Sequence, residues 1–217
     1  MKREIIITSD GSTTIHLPDW NEQYHSKHGA IQEAYHVYIN NGLKAIDKEK
    51  ISILEIGFGT GLNCFITYLE SEKVIDYVGV EAYPVKAEEV VGMNYVSELK
   101  AENKEEIFKK IHSCSCEEKH VVSDKFSLTK QQKFFSEIDD VNKYDLIYFD
   151  AFGPEKQPDL WTKEIFDKMY AALKSKGVLV TYASKGNVKR AIRAAGFSLK
   201  RLPGPLGKWH MLRATKI

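Results

Sequence analysis

The chain lacks a long apolar run, has few cysteines and carries almost no net charge, and each shortage removes a class of protein. No segment of the 217 residues approaches the run of about 18 apolar residues that spans a bilayer. The charged start Met1-Lys2-Arg3-Glu4 leads into only three isoleucines, too few for a signal-peptide core. The expected location is the cytoplasm, with no membrane partner. The three cysteines, Cys64, Cys114 and Cys116, are odd in number, and the Cys114-Ser115-Cys116 spacing fits neither a redox pair nor a usual zinc site. Reduced thiols are expected. His25, His28 and His36 surround the first predicted helix without the spacing of a metal template, so a lid or core role is expected for them and no metal. Thirty-one basic against thirty acidic residues give a formal charge of +1, so affinity for nucleic acid has to come from a local patch.

What is present suits one domain with a small appended element, given 43% hydrophobic residues and no repeat, low-complexity tract or clear linker. Residues Ile5 to Leu17 alternate around the turn Ser9-Asp10-Gly11-Ser12, predicting an N-terminal hairpin that serves as a lid or an oligomer contact. Ile31, Ala34, Tyr35, Tyr38, Ile39 and Leu43 recur at helical spacing, predicting an amphipathic helix that ends near Asn41-Gly42. The runs Ile51–Ile56, Leu62–Ser71 and Tyr77–Glu81 read as strand, helix, strand, the signature of a parallel sheet with a crossover. A charged helix over 87–111 and a strand near Phe126–Thr129 follow. Tyr144–Phe149 is the most apolar strand and is expected to lie centrally. A helix from Lys163 to Leu173, the turn Lys176-Gly177, a strand Val178–Tyr182 and a helix Asn187–Ala195 closed by Gly196 come next. Phe197–Leu202 and Trp209–Ala214 form a terminal antiparallel hairpin. The expected fold is α/β and Rossmann-like, with a mainly parallel seven-stranded sheet. Residues 1–28 form the N-terminal extension and 29–217 the domain.

Three motifs suggest chemistry. Glu55-Ile56-Gly57-Phe58-Gly59-Thr60-Gly61 sits where the first parallel strand turns into its helix, and its glycines allow positive φ and close backbone approach to a ligand. The dinucleotide pattern requires a third glycine where Leu62 stands, which argues against NAD; in folds that bind S-adenosylmethionine (SAM) the same tight turn accommodates the amino-acid portion and the adenosine, although such glycines also serve ordinary strand-to-helix turns. Glu81 ends the second strand 20 residues after Gly61, where an acid accepts hydrogen bonds from ribose hydroxyls. Asp150 ends the central strand in Tyr148-Phe149-Asp150-Ala151-Phe152-Gly153-Pro154 and points into the ligand crevice of an open α/β sheet. It is the catalytic candidate, able to hold an amine or accept its proton during in-line methyl transfer, with Phe152 and Trp161 stacking on a base. The competing reading is an N-capping Asp beside two core aromatics.

Taken together, Gly57-Phe58-Gly59-Thr60-Gly61-Leu62-Asn63, the run Phe149 to Pro154 with Pro158-Asp159-Leu160-Trp161-Thr162, and Ala195-Gly196-Phe197 resemble the methyltransferase domain of the bacterial tRNA wobble-uridine enzyme MnmC, from about Gly29 onward. The resemblance implies a class I SAM-dependent methyltransferase that methylates the aminomethyl group at carbon 5 of uridine 34, in the anticodon region of tRNA. It implies that Asp150 lies beside the reactive amine, and Phe152 joins it as the second catalytic candidate from its place in the same run. It also implies a SAM site made of Glu55, Gly57, Phe58, Gly59, Gly61, Asn63 and Glu81. Bifunctional members add an FAD-dependent oxidoreductase domain. This chain looks like the stand-alone transferase, with any oxidase a separate protein. The family's acid facing adenine has no match here, since Asp124 comes too early. Backbone around Lys133 and Phe134 is expected to take its place.

RNA contact is expected from Lys185, Lys189, Arg190 and Arg193 around the last helix and from Lys200, Arg201, Lys208 and Arg213 in the terminal hairpin. Solvated surface charge is the plainer reading of each residue taken singly. The alternative acceptor is a small amine, as in relatives of the aminopropyltransferase type. It would require an acidic pocket, hinted at by Asp150, Glu155 and Asp159. A silent SAM-fold module would require loss of the glycine loop or of Asp150, and both are present.

Overall fold

The computed structural model describes residues 2–217. β1 (Glu4–Ile7) and β2 (Thr13–Leu17) form the expected antiparallel hairpin, and a short β3 (Glu22–Gln23) adds a third strand on β2. α1 (Ala30–Ala34) continues without a break into a π-helical stretch, Tyr35–Asn40, which ends at Asn41 as predicted. The wider winding was not legible from apolar spacing alone, and such stretches are frequent at functional sites.

The remaining strands build one sheet: β4 (Lys50–Ile56), β5 (Val74–Val80), β6 (Lys119–Ser123), β7 (Phe126–Gln131), β8 (Tyr144–Phe149), β9 (Leu173–Thr181), β10 (Ser198–Pro203) and β11 (His210–Thr215). Their order is β10-β11-β9-β8-β4-β5-β7-β6. The five from β9 to β7 are mutually parallel, while β11, β10 and β6 are antiparallel. The sheet therefore has eight strands rather than seven. The extra one, β6, is a mostly polar edge strand whose pattern of Lys, His, Val, Val and Ser carries little apolar signal.

Burial explains the sequence of the central strands. On β4, Ile51 and Ile53 face a core shared with α1, the π-helical stretch, α2 (Leu62–Glu70) and α5 (Glu105–Ser113). Leu54 and Ile56 face a second core with α6 (Lys163–Ala172) and α7 (Gly186–Ala194). Period-two alternation across a doubly covered sheet reads as a continuous apolar run.

Two predicted elements need correction. The charged stretch 87–111 is not one helix but α3 (Ala87–Val91), α4 (Tyr95–Glu98), a short 3-10 turn and α5. Asn94 interrupts it by accepting the Thr13 amide at 2.8 Å and donating to the Gly11 carbonyl at 2.9 Å, and Lys100 takes a left-handed φ of 52°. The strand predicted from Val178 begins at Leu173, because the Lys176-Gly177 turn is absorbed as a bulge. Tyr144 faces Leu173 and Leu146 faces Val178.

Candidate functional site

The parallel strands end along one edge, and their order brings distant residues together. β8 neighbours β4, which neighbours β5 and then β7, so Asp150, the glycine loop, Glu81 and Phe134 follow one another across the sheet's C-terminal edge. This is where ligands of open α/β sheets bind. The Gly57 and Phe58 amides donate to the Val80 carbonyl at 3.0 and 3.1 Å, and the Asp150 amide donates to the Ile56 carbonyl at 2.8 Å. Gly57 has φ of 85°, and a Cβ there would lie 2.6 Å from the Asp150 carbonyl oxygen. Only glycine lets the two loops close to this distance.

A cleft of about 180 Å³ opens above this edge, with Gly57, Gly59, Glu81, Phe134, Asp150 and Phe152 on its wall. The Glu81 carboxylate accepts the Gly59 amide at 3.2 Å and the Tyr83 amide at 2.9 Å, one bond per oxygen. Each oxygen keeps a lone pair for a further donor. Phe134 is 55% exposed and Tyr83 64% exposed, and their rings meet edge to face at 6.1 Å. A polar floor with a carboxylate, a glycine cradle and exposed aromatics at the mouth fits a nucleoside carrying an amino-acid arm.

Five expected cofactor residues, Glu55, Phe58, Gly61, Asn63 and Lys133, do not line this cleft. Glu55 is fully buried and does not reach the cleft: it accepts the Tyr77 hydroxyl at 2.8 Å and the Asn63 amide at 2.9 Å. Burial pushes its carboxyl well above the usual range. The Phe58 ring packs under Gly79, where any Cβ would collide with it. Gly61 precedes the first turn of α2 with His112 at its back. Lys133 is half-buried outside the lining, which Phe134 and Phe135 supply instead.

Asn63 links the layers. Its second amide hydrogen goes to Asp150 Oδ2 at 2.8 Å, so a chain Tyr77–Glu55–Asn63–Asp150 fixes the carboxyl from behind. Burial raises the Asp150 pKa to about 7. The Asn63 donor and the charge of Lys208 pull it down, while the Glu33 charge pushes it up. At neutral pH such a group both accepts and releases protons. Asp150 also borders a second cleft of about 440 Å³, whose wall includes Glu22, Glu33, Tyr182, Lys185 and Lys208. Its acids are Glu22, Glu33, Asp150 and Glu155, which differs from the Asp150, Glu155 and Asp159 set suggested by sequence.

Phe152 lies between the N-terminal aromatics, 5.0 Å from Tyr24 and 5.9 Å from Trp20, both edge to face. Trp161 cannot stack on a base: it is 3% exposed, packs on Phe149 at 5.0 Å and donates its indole N–H to the Phe152 carbonyl at 2.8 Å. The core reading holds for Trp161, and its indole fixes the Phe152 backbone.

The N-terminal extension contributes residues that sequence patterns did not single out for the site. Tyr24 and His25 line both clefts. His25 Nε2 lies 2.7 Å from Thr60 Oγ1, which also accepts the Tyr95 hydroxyl at 3.0 Å. Burial lowers the His25 pKa to about 4, so the ring is neutral when it clamps the glycine loop. Among the described residues no cluster of three or more His, Cys, Asp or Glu side chains suits a metal.

Comparison with known proteins identifies the class. The profile of the S-adenosyl-L-methionine-dependent methyltransferase family matches residues 96–217. The chain belongs to that family. This methyltransferase takes SAM as its methyl donor. It is 29% identical over 212 residues to the tRNA 5-methylaminomethyl-2-thiouridine biosynthesis bifunctional protein MnmC of Campylobacter fetus, covering 90% of this chain and 33% of that protein. The Burkholderia multivorans protein of the same name is 29% identical over 218 residues, covering 92% and 33%. The chain thus spans about a third of the length of the curated relatives it matches. Among solved structures, MnmC2 from Aquifex aeolicus superposes with a TM-score of 0.76 at 22% identity, covering all of this chain and 70% of that one. A spermidine synthase with a transition-state analogue gives 0.58 at 18%, covering 100% and 75%. These two share the methyltransferase fold. No helix among the described residues is long and apolar enough to cross a membrane.

Proposed function

We propose that this methyltransferase transfers the SAM methyl group to the aminomethyl nitrogen at carbon 5 of the wobble uridine of tRNA, in the cytoplasm. The observation that carries the reading is Asp150: one carboxyl with a pKa near neutrality on the shared wall of a nucleoside-sized cleft and a second, acid-lined cleft. The relatives named for 5-methylaminomethyl-2-thiouridine biosynthesis in tRNA supply the acceptor class.

SAM supplies an electrophilic methyl carbon. In the proposed step the amine lone pair forms the new N–C bond while the S–C bond breaks and its electron pair stays on sulfur. The nitrogen must be unprotonated when it attacks, and Asp150 takes the proton that an arriving ammonium has to lose. Asn63 holds the carboxyl in place, and Phe152, packed on Tyr24 and Trp20, walls the cofactor cleft beside it. Glu81 holds the ribose hydroxyls, Gly57, Gly59 and their neighbours accommodate the amino-acid arm, and Phe134 faces adenine. Residues 29–217 form the catalytic domain and residues 1–28 cover its site.

The direct test is transfer of radiolabelled methyl from SAM to tRNA from cells lacking the wobble-uridine methyltransferase, followed by nucleoside analysis. Label is expected in the methylaminomethyl nucleoside. Label absent from tRNA despite measurable SAM binding would sink the acceptor assignment. The second reading, a small amine, is favoured by Glu22, Glu33 and Asp150 in the second cleft and by the fold shared with spermidine synthase. Lys27, Lys185 and Lys208 on the same wall count against a polycation. For the cofactor, Glu81→Ala is expected to weaken SAM binding by about tenfold or more in calorimetry, since hydrogen bonds to a charged group contribute roughly 1.5–3 kcal/mol each. Unchanged affinity would remove Glu81 from the cofactor site.

A further inference from the structure

The near-neutral total charge hides a separation along the chain. All 30 Asp and Glu residues lie before position 168, and residues 168–217 carry 12 Lys and Arg with no carboxylate side chain. These residues form the end of α6, β9, α7 and the β10–β11 hairpin. Lys189, Arg190, Arg193, Lys200, Arg201 and Arg213 make no ion pair among the described residues. Glu155 and Glu33 from earlier in the chain neutralise Lys185 and Lys208, and the six cations left unpaired carry a self-repulsion that a docked polyanion relieves.

The loop joining β10 to β11 is held firmly and still presents an apolar side chain to water. The Gly204 amide donates to the Trp209 carbonyl at 3.1 Å and the Lys208 amide to the Pro205 carbonyl at 2.9 Å. His36 Nε2 meets the Pro203 carbonyl at 2.9 Å. Lys208 pairs with the buried Glu33 and lies 3.9 Å above the Tyr182 ring. At the end of this loop Trp209 is 92% exposed, on the wall of the cleft that contains Asp150. Exposing an indole on a fixed loop forgoes the burial that usually keeps Trp inside.

We propose that the face formed by α7 and the β10–β11 hairpin docks a folded RNA, and that Trp209 stacks on a base beside the one whose amine enters the cleft. The inference rests on the tRNA reading above and specifies how that substrate is held. Position divides the labour: Asp150 in the cleft meets the amine, while the backbone lies on Lys189, Arg190 and their unpaired neighbours. A base drawn out of its loop leaves a neighbour without a stacking partner, and an exposed aromatic replaces it.

The test uses tRNA from cells lacking the wobble-uridine methyltransferase, with SAM affinity as the check on folding. Trp209→Ala is expected to raise KM for this tRNA by about tenfold or more, the range found for base–aromatic stacking, with SAM affinity unchanged and most of the loss restored in Trp209→Tyr. The double variant Lys189→Ala/Arg190→Ala is expected to weaken tRNA binding and to flatten its salt dependence by about 0.7–0.9 in slope for every phosphate that is no longer neutralised. If the unaltered enzyme methylates tRNA and neither variant changes KM or salt slope, the docking face is overturned and the acceptor stands. If tRNA binds through these residues but is not methylated, the docking face stands and the acceptor falls. Absence of tRNA binding even at low salt overturns both.

Discussion

Asp150→Asn is expected to lower the rate of methyl transfer by roughly a hundred- to ten-thousandfold, the range for loss of a positioned proton acceptor, and to leave SAM affinity within a few-fold of the parent. Asparagine keeps the shape of the carboxyl and an oxygen for the Asn63 amide, but it cannot take a proton from the acceptor. The pH profile separates this from a packing defect. In the parent, kcat/KM for the acceptor should rise as Asp150 ionises through about pH 7, and the variant should lack that step. Stability should move the other way. The carboxyl's pKa in the fold, about 7, lies above its unfolded value near 4. The native state therefore binds the extra proton, and stability is lost as pH rises from about 4 through 7. Three units correspond to at most roughly 4 kcal/mol. Asp150→Asn should accordingly melt several degrees higher than the parent at pH 8, with the gap closing toward pH 4. A variant that keeps its rate, or melts lower at pH 8, would show that Asp150 is a structural acid.

Most of the scaffold behind this site was legible because its signals are local. Ile51–Ile56 and Tyr144–Phe149 are runs too short and too apolar for anything but covered strands, and the structure places them side by side. The glycine loop, Glu81 and Asp150 were found because each ends a strand, and a parallel sheet aligns strand ends. What escaped depends on distance in sequence. Tyr24, His25 and Glu33 carry no motif; they reach the clefts because the N-terminal sheet folds over the glycine loop and α1 runs under the β10–β11 turn. Trp161 was misjudged for the opposite reason, since an aromatic near a motif looks free to stack until its indole is found spanning to the Phe152 carbonyl. Glu55 likewise belongs to the motif yet faces the core with Ile53, on the face that alternation assigns to odd positions of β4.

At the other end of β8, Asp145→Ala is expected to destabilise the fold by roughly 2–4 kcal/mol, because it removes the single acceptor that several groups share. The Asp145 side chain is nearly buried and accepts Lys48 at 2.6 Å, Lys174 at 2.9 Å, the Ser52 amide at 2.9 Å and the Ser52 hydroxyl at 2.8 Å. Burial alone would raise its pKa, but these donors outweigh it and hold the carboxyl well below the usual range. The bulge in β9 explains part of the arrangement, because the residues it absorbs between Leu173 and Val178 include Lys174. Loss of the carboxylate strands the Ser52 amide, whereas the half-exposed lysines regain water and limit the cost. The sign with pH follows from a depressed pKa: the contribution is full above the unfolded value near 4 and fades as pH falls below it. Denaturant titrations should show a large gap between parent and variant at pH 7 that narrows in acid, with SAM affinity of the folded variant unchanged because Asp145 stands five residues from the active edge, about 16 Å along the strand. A gap that persists undiminished at pH 2 would mean that packing, not the ion-paired carboxylate, anchors this corner of the sheet.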